Sequence, residues 1–423
     1  MIIMANNSDV ASVPLPPPHD RIHRHDVLPV TNHDENSRLN FIASLNAHIG
    51  TILFPGVTNA YDARIKPAYI RDQGREPSTS IEVRNIIKKD SIYQIWAAVR
   101  RNTMEMRHQI GRSITFRQLD KLVNHAKSLN TGSNRLRLNK TITTPKYVSA
   151  ADNHCMPGSY YSELVPDDIS GPANYEIGHY TTVAGGTGPK SDLIGRTMLL
   201  WLQQNHSEFI PKKIADFGAS AGMNTLPFAE AFPASRVHAI DVAAPMLRYG
   251  HARAETMGVK NVIFEQGNVE TWGKEAGSYD LVISAMFFHE TSTKAMRQIF
   301  SNAYRLLKPG GLMLNMEQPN FDPDTTAYEK FVRDWDCWYN SEPFWAKLHT
   351  MDFSDEMVAA GFSQKDTFET SQPMDRANAA YPEWAGAFSR HAHEVKMREG
   401  AGKLNPKKSG GMYMFGAFKS DAA

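Results

Sequence analysis

Only two cysteines, Cys155 and Cys337, occur in 423 residues, too few for a disulfide framework or a four-thiolate metal site and in keeping with a reducing, cytoplasmic compartment. No run approaches the roughly 18 consecutive apolar residues that a bilayer span needs. Met1 to Val10 carries no basic segment followed by an apolar one, so a soluble, unprocessed chain without a membrane span is expected. Net charge is also scarce: 46 Lys and Arg stand against 45 Asp and Glu, a formal +1, which argues against a protein that coats nucleic acid or an anionic membrane. That balance is regional. Residues 61–140 hold 17 basic and 7 acidic side chains, leaving 29 against 38 elsewhere, so the two regions are expected to complement one another within a protomer or across a homodimer.

Residues 1–37 combine VPLPPPHD, four histidines (His19, His23, His25, His33) and Asn-rich patches, with little apolar periodicity to offset the entropy of ordering. They read as a disordered or extended tail. Residues 38–130 read as a helical domain for dimerisation or substrate binding. LNFIASLNAHIGTILF has helical spacing and stops at Pro55-Gly56, while Ser91 and Ser113 are placed as N-caps and Gly111 as a break. Residues 131–190, rich in Gly, Pro, Asn and Thr, read as a connector wrapping the next domain. From 191 to 423, short apolar runs (KIADFG, RVHAID, NVIFEQG, YDLVISA, GLMLNME) alternate with helical stretches, the pattern of an α/β parallel sheet covered on both faces. An aromatic-rich insertion spans about 320–350, and a hairpin insertion about 371–411 separates two closing strands.

Asp216-Phe-Gly-Ala-Ser-Ala-Gly222 follows the first strand and precedes a helix, so glycines let the backbone approach a nucleotide-like cofactor at the carboxyl end of that strand. Asp241 ends the second strand, where a carboxylate can take two hydrogen bonds from a ribose diol. Gly267-Asn268-Val269 ends the third, where an amide and a backbone N–H can read an adenine edge. Leu307-Lys-Pro-Gly-Gly311 ends a helix and launches a further strand. With these motifs, residues from about 191 to 320 resemble class I S-adenosylmethionine-dependent methyltransferases, of the ubiquinone/menaquinone-type small-molecule group. The resemblance implies a Rossmann-like, seven-stranded sheet with helices on both faces. It also implies S-adenosyl-L-methionine as cofactor, its amino-acid part held by Asp216, Gly218, Ala219 and Gly222 and its ribose by Asp241. Val242 and Met246 would lie near the adenine, and Ser284 would complete the site. Asn268 stands where the family usually has Asp, and the loop has alanine and serine between its outer glycines; both departures remain compatible with binding. The spacing does not fit the G-x-G-x-x-G of nicotinamide enzymes.

Ligands of an open parallel sheet bind beyond the carboxyl ends of the strands, which places Phe288 and Glu317 at the acceptor. So does the excursion carrying Trp335, Trp338, Tyr339 and Trp345, whose three indoles are too apolar to leave exposed as a group; it reads as a helix packed on the core, a substrate lid, or both. Tyr175 or Tyr180 of the connector is expected to reach the ligand, and Tyr180 is assigned. His289 is placed as general base with Glu290 orienting it. His154, Cys155 and His179 have irregular spacing, and no metal is expected. The function read from the chain is methyl transfer to an O, C, N or S nucleophile of a small-molecule acceptor. The rival is a macromolecule-directed methyltransferase or a non-catalytic cofactor-binding protein gripping RNA or an acidic partner through residues 61–140, although nucleic acid is judged an improbable partner because the basic residues interleave with apolar ones at helical spacing. A third reading has Arg100, Arg101, Arg107 or Arg112 clamping an anionic acceptor.

Overall fold

The structure, a computed structural model, describes residues 15–374, 406–408 and 411–420. Eight strands, rather than the expected seven, form one sheet: β1 (Leu136–Arg137), β2 (Lys213–Phe217), β3 (Arg236–Asp241), β4 (Val262–Gln266), β5 (Tyr279–Ala285), β6 (Leu307–Met316), β7 (Thr367–Gln372) and β8 (Met412–Phe418). Their order is β1-β4-β3-β2-β5-β6-β8-β7. β8 runs opposite to the other seven strands. The extra strand is β1, a two-residue piece of the connector that pairs with the β4 edge through Leu136 and Arg137. The five apolar runs read from sequence become β2 to β6. Each is buried on both faces, Ile214 on one side of the sheet and Ala215 on the other, which is why they read as continuous rather than alternating apolar segments. The hairpin insertion lies, at 375–405 and 409–410, outside the described residues.

The chain order turns from β4 back to β5, so β2 and β5 flank the topological switch of the sheet, where a crevice opens. Over it lies a helical layer that departs from the sequence reading in four places. Residues 15–32, expected as a solvated arm, pack instead: His19 and His25 are buried, and Ile22 and Leu28 join the core around Ile114 and Ile177. The first helix runs from His33 through Pro55-Gly56 to Gln73. Widened π turns at Ile49–Leu53 and Tyr61–Ile65 immediately precede the Pro55 and Pro67 turns, which accommodates a ring that an unbroken α-helix would reject. This run is long and apolar enough, by length and composition alone, to cross a membrane; here Ile49, Val57 and Tyr61 pack against Tyr93, Trp96 and Trp335.

Gly111 does not break the helix Ser91–Phe116, whose cap is Asp90. Glycine is needed there because a Cβ would come within 2.2 Å of Asn174 Oδ1. Asn174 belongs to the fourth departure, the helix Ser170–Thr182 inside the expected connector, buried along most of its length and therefore without an amphipathic period. The same helix carries Glu176, which joins three regions. Its carboxylate accepts from Tyr249 Oη at 2.6 Å, faces His25 Nε2 at 3.1 Å and Arg253 Nε at 3.4 Å, all buried. Replacing Glu176 by Ala strands the Arg253 charge and should cost about 3–5 kcal/mol, read as a lowered urea midpoint; an unchanged midpoint would contradict this role.

Candidate active site

The turn after β2 is built for close approach. Gly218, Ser220 and Gly222 all have left-handed backbones (φ 72°, 49° and 74°), and a Cβ on Gly218 would meet the Phe287 ring at 2.1 Å. Asp241, at the end of β3, accepts from the Ser220 and Ala243 N–H groups at 2.9 Å each, which fixes its carboxylate at the rim while leaving further lone pairs for a ligand. Burial raises its pKa against these hydrogen bonds. Gly218 to Ala221, Asp241, Val242 and Met246 form one end of a cavity of about 490 Å³, a size suited to a small-molecule ligand.

Asp216, expected in contact with the cofactor, is instead buried beneath the turn and accepts from Thr225 Oγ1 at 2.5 Å. Burial pushes its pKa up to about 7, opposed by the Thr225 bond and reinforced by Asp241. Gly222 shapes the turn without lining the cavity. Gly267 and Asn268 border a separate, shallower groove beside Trp272. The Asn268 amide is engaged by Glu270, its Oδ1 accepting from the Glu270 N–H and its Nδ2 donating to Glu270 Oε1. Glu270 also accepts from the Tyr147 hydroxyl at 3.1 Å, so Asn268 reaches the cavity only through Tyr147, which lines it. Val269 is core, and Ser284 donates to Asn315 within the sheet.

His154, Glu290 and Trp345 also line the cavity, with Phe287 against Gly218 and with Tyr160 and Tyr175 packed on the Met246 cluster. Of the indoles, Trp345 alone lines it, with its ring centroid 4.6 Å from that of His289. Trp335 packs on Trp96, Trp338 is exposed under Arg84, and Tyr339 lies against Trp335. The aromatic density of the excursion therefore serves mainly to dock it on the helical layer. Tyr180 is likewise structural, donating to the Pro17 carbonyl, and Phe288 packs among Phe300 and Phe415. Glu317 lies behind His289, accepting from its Nδ1 at 2.7 Å and from the Phe288 N–H at 2.8 Å.

That contact changes the reading of His289. Burial disfavours its charge, but Glu317, aided by Glu290, lifts its pKa to about 9. Its Nδ1 is committed to Glu317, so it does not stand as the free imidazole that the general-base reading assumed. Glu290, placed to orient it, lies 3.8 Å away and is bound more closely by others: Tyr160 donates at 3.0 Å, His154 Nε2 sits at 3.1 Å, and Asn153 donates as well. Burial works against ionisation of Glu290, yet the hydrogen bond from His154 holds its pKa below the usual carboxylate range. His154 is raised to about 10, burial being outweighed by Glu342 and Glu290. The connector side chains Tyr147 and Tyr160 escaped the sequence reading because nothing periodic marks them, and His154 was weighed there only with Cys155 and His179; in the backbone, two consecutive left-handed residues, His154 and Cys155 (φ 54° and 57°), mark its position.

The arginines are largely spoken for. Arg107 is buried, donating to Thr182 and to the His154 carbonyl. Arg100 pairs with Asp336 at 3.2 Å and Arg101 with Glu105 at 2.8 Å, while Arg112 stacks on Phe116.

The protein family described as Methyltransferase domain matches residues 214–311, the stretch from β2 to the start of β6. The chain carries a class I methyltransferase domain. Among curated relatives, the malonyl-[acyl-carrier protein] O-methyltransferase of Paenibacillus sp. is 29% identical over 180 residues, 39% of this chain and 63% of the relative. The ribosomal RNA small subunit methyltransferase C of Escherichia coli is 30% identical over 121 residues, 28% of this chain and 34% of the relative. The chain thus spans less than two thirds of these relatives. A solved phosphoethanolamine N-methyltransferase 2 of Haemonchus contortus aligns over 53% of each chain at 16% identity, with a TM-score of 0.37. The helical layer, the connector and the excursion that close the cavity lie outside the matched methyltransferase domain.

Because burial holds the folded-state pKa of Asp216 up at about 7, above the ordinary carboxylate range, its stabilising share is complete below the unfolded pKa and lost as pH rises through 7. An Asp216→Asn variant should therefore gain on the wild type between pH 4 and pH 7 in ligand-free thermal melts. Parallel melting curves across that range would refute the assignment.

Proposed function

We propose that this protein transfers the methyl group of S-adenosylmethionine to a small-molecule acceptor. The observation that carries the reading is the continuity of one cavity, from the glycine turn and Asp241 past Tyr160 and Tyr175 to His154, Glu290 and Trp345. The residues at the first end fit the cofactor. The left-handed turn lays the slim backbone of Gly218 to Ala221 along the cavity, Asp241 offers acceptor lone pairs to a ribose diol, and Val242 with Met246 gives an apolar wall for adenine. When bound, the cofactor supplies an already activated sulfonium methyl, so the protein's share is alignment and exclusion of water.

The second end supports a small acceptor over a macromolecular one. It is roofed by the helices Ser91–Phe116 and Ser170–Thr182, the connector and the excursion, leaving an enclosed space rather than a face. The pairing of Arg100 and Arg101 and the burial of Arg107 also leave little of a contiguous positive surface there. Aromatic walls from Tyr160, Tyr175, Phe287 and Trp345 suit a planar or apolar acceptor. With His289 fixed by Glu317, His154 by Glu342 and Tyr160 bonded to Glu290, the cavity is equipped to hold and orient an acceptor carrying oxygen or nitrogen.

Calorimetric titration with S-adenosylhomocysteine should give one site per chain. Asp241→Ala should weaken it about 10–100-fold, the loss of charge-assisted hydrogen bonds worth about 1.5–3 kcal/mol. Trp345→Ala should leave that affinity within about threefold while lowering turnover in a radiolabelled screen of small acceptors. Absence of binding by the wild type, or methyl incorporation into RNA or protein alone, would overturn the reading.

A further inference from the structure

His154, His289, Glu290 and Glu342 come from three distant parts of the chain, yet one donor atom from each lies within 4.8 Å of all the others. The arrangement has a regular logic. Each imidazole has a carboxylate behind its Nδ1: Glu317 at 2.7 Å for His289 and Glu342 at 2.6 Å for His154. Both Nε2 atoms then face Glu290 Oε1, at 3.1 Å from His154 and 3.8 Å from His289. Donor atoms about 2.0–2.2 Å from a tetrahedral ion sit roughly 3.3–3.6 Å apart, and the two separations bracket that range. Imidazoles that ligate metals are commonly fixed by a carboxylate on the second nitrogen, which sets ring orientation and tautomer.

Two further observations point to a missing ligand. Glu342 is fully buried, and its Oε2 has no hydrogen-bond partner among the described residues. His154 is held toward the site in a left-handed conformation, with its backbone N–H donating to Glu342 Oε1 at 3.2 Å, a strained geometry of the kind that clusters at ligand sites.

We propose that His154, His289 and Glu290 bind one first-row divalent transition-metal ion, with Glu317 and Glu342 orienting the imidazoles and an open coordination position facing the cavity. The expectation of no metal, drawn from the irregular spacing of His154, Cys155 and His179, considered the wrong partners: the ligands converge only in the fold. Two imidazoles and a carboxylate suit Zn²⁺, Mn²⁺ or Fe²⁺ and disfavour Mg²⁺. On the methyl-transfer reading above, the open position would hold an acceptor oxygen and favour its ionised form. Binding of the ion itself is independent of that reading.

The test uses the full chain freed of metal by chelator dialysis. Titration with Zn²⁺ by calorimetry, and with Co²⁺ by visible absorption, should each give one site per chain, and Mg²⁺ should give none. Glu290→Gln and His154→Ala should weaken Zn²⁺ binding at least about 100-fold, and Glu317→Gln about 10–100-fold. Melting curves and S-adenosylhomocysteine titrations identify which variants remain folded with an intact cofactor end. No stoichiometric Zn²⁺ or Co²⁺ binding by the wild type would overturn the proposal, as would unchanged binding in folded Glu290→Gln and His154→Ala proteins. A wild type that binds Zn²⁺ but not S-adenosylhomocysteine would uphold the metal site and refute the cofactor reading.

Discussion

Burying a carboxylate is affordable only beside a partner, and this chain buries Glu317 and Glu342, and most of Glu290, within one cluster. Each comes from a different segment: the turn after β5, the end of β6 and the excursion. Their imidazole partners come from the β5 turn and the connector. None of these segments can hold its charge inside the protein alone, so they close on one another or not at all. The cavity follows from that constraint, and Glu176 repeats the logic behind it by joining His25 of the N-terminal segment to Tyr249 and Arg253 of the helix Ala244–Thr256.

The same principle explains the regional charge of the sequence. The excess of basic side chains in residues 61–140 is in part drawn onto acidic groups and carbonyls of the surrounding chain. Arg100 meets Asp336 of the excursion, Arg117 meets Glu35 of the first helix, Arg135 meets Glu255 beside β4, and Arg107 is sealed against Thr182 and His154. Exposed pairs of this kind contribute little stability each. Their consequence is spatial: the basic layer is oriented over the methyltransferase domain, and the positive surface left for a polyanion is correspondingly reduced.

What could be read from the sequence follows from what is local. The strands β2 to β6 were legible because two-sided burial writes itself as apolar runs, and the turn at Gly218 because left-handed backbone favours glycine. Long-range facts were not. Gly111 reads as a helix break until Asn174 is seen against it, and the Ser170–Thr182 helix is too evenly buried to show a period. Asp216 and Asn268 stand at family positions but turn toward Thr225 and Glu270. Three tryptophans in one excursion point to a site, yet packing on the helical layer consumes Trp335 and leaves Trp345 to line the cavity. His154 and Glu342 carry no local signal, since only tertiary structure brings them together.

The central claim is that one cavity holds the cofactor at the Asp241 end and directs its reactive end toward Trp345 and Glu290. A crystal structure with S-adenosylhomocysteine tests this most directly. The account predicts the ribose on Asp241, the adenine against Val242 and Met246, and the sulfur facing the space between Tyr175, Glu290 and Trp345. A ligand lying in the groove beside Asn268 and Trp272, or one whose sulfur faces bulk solvent, would contradict it.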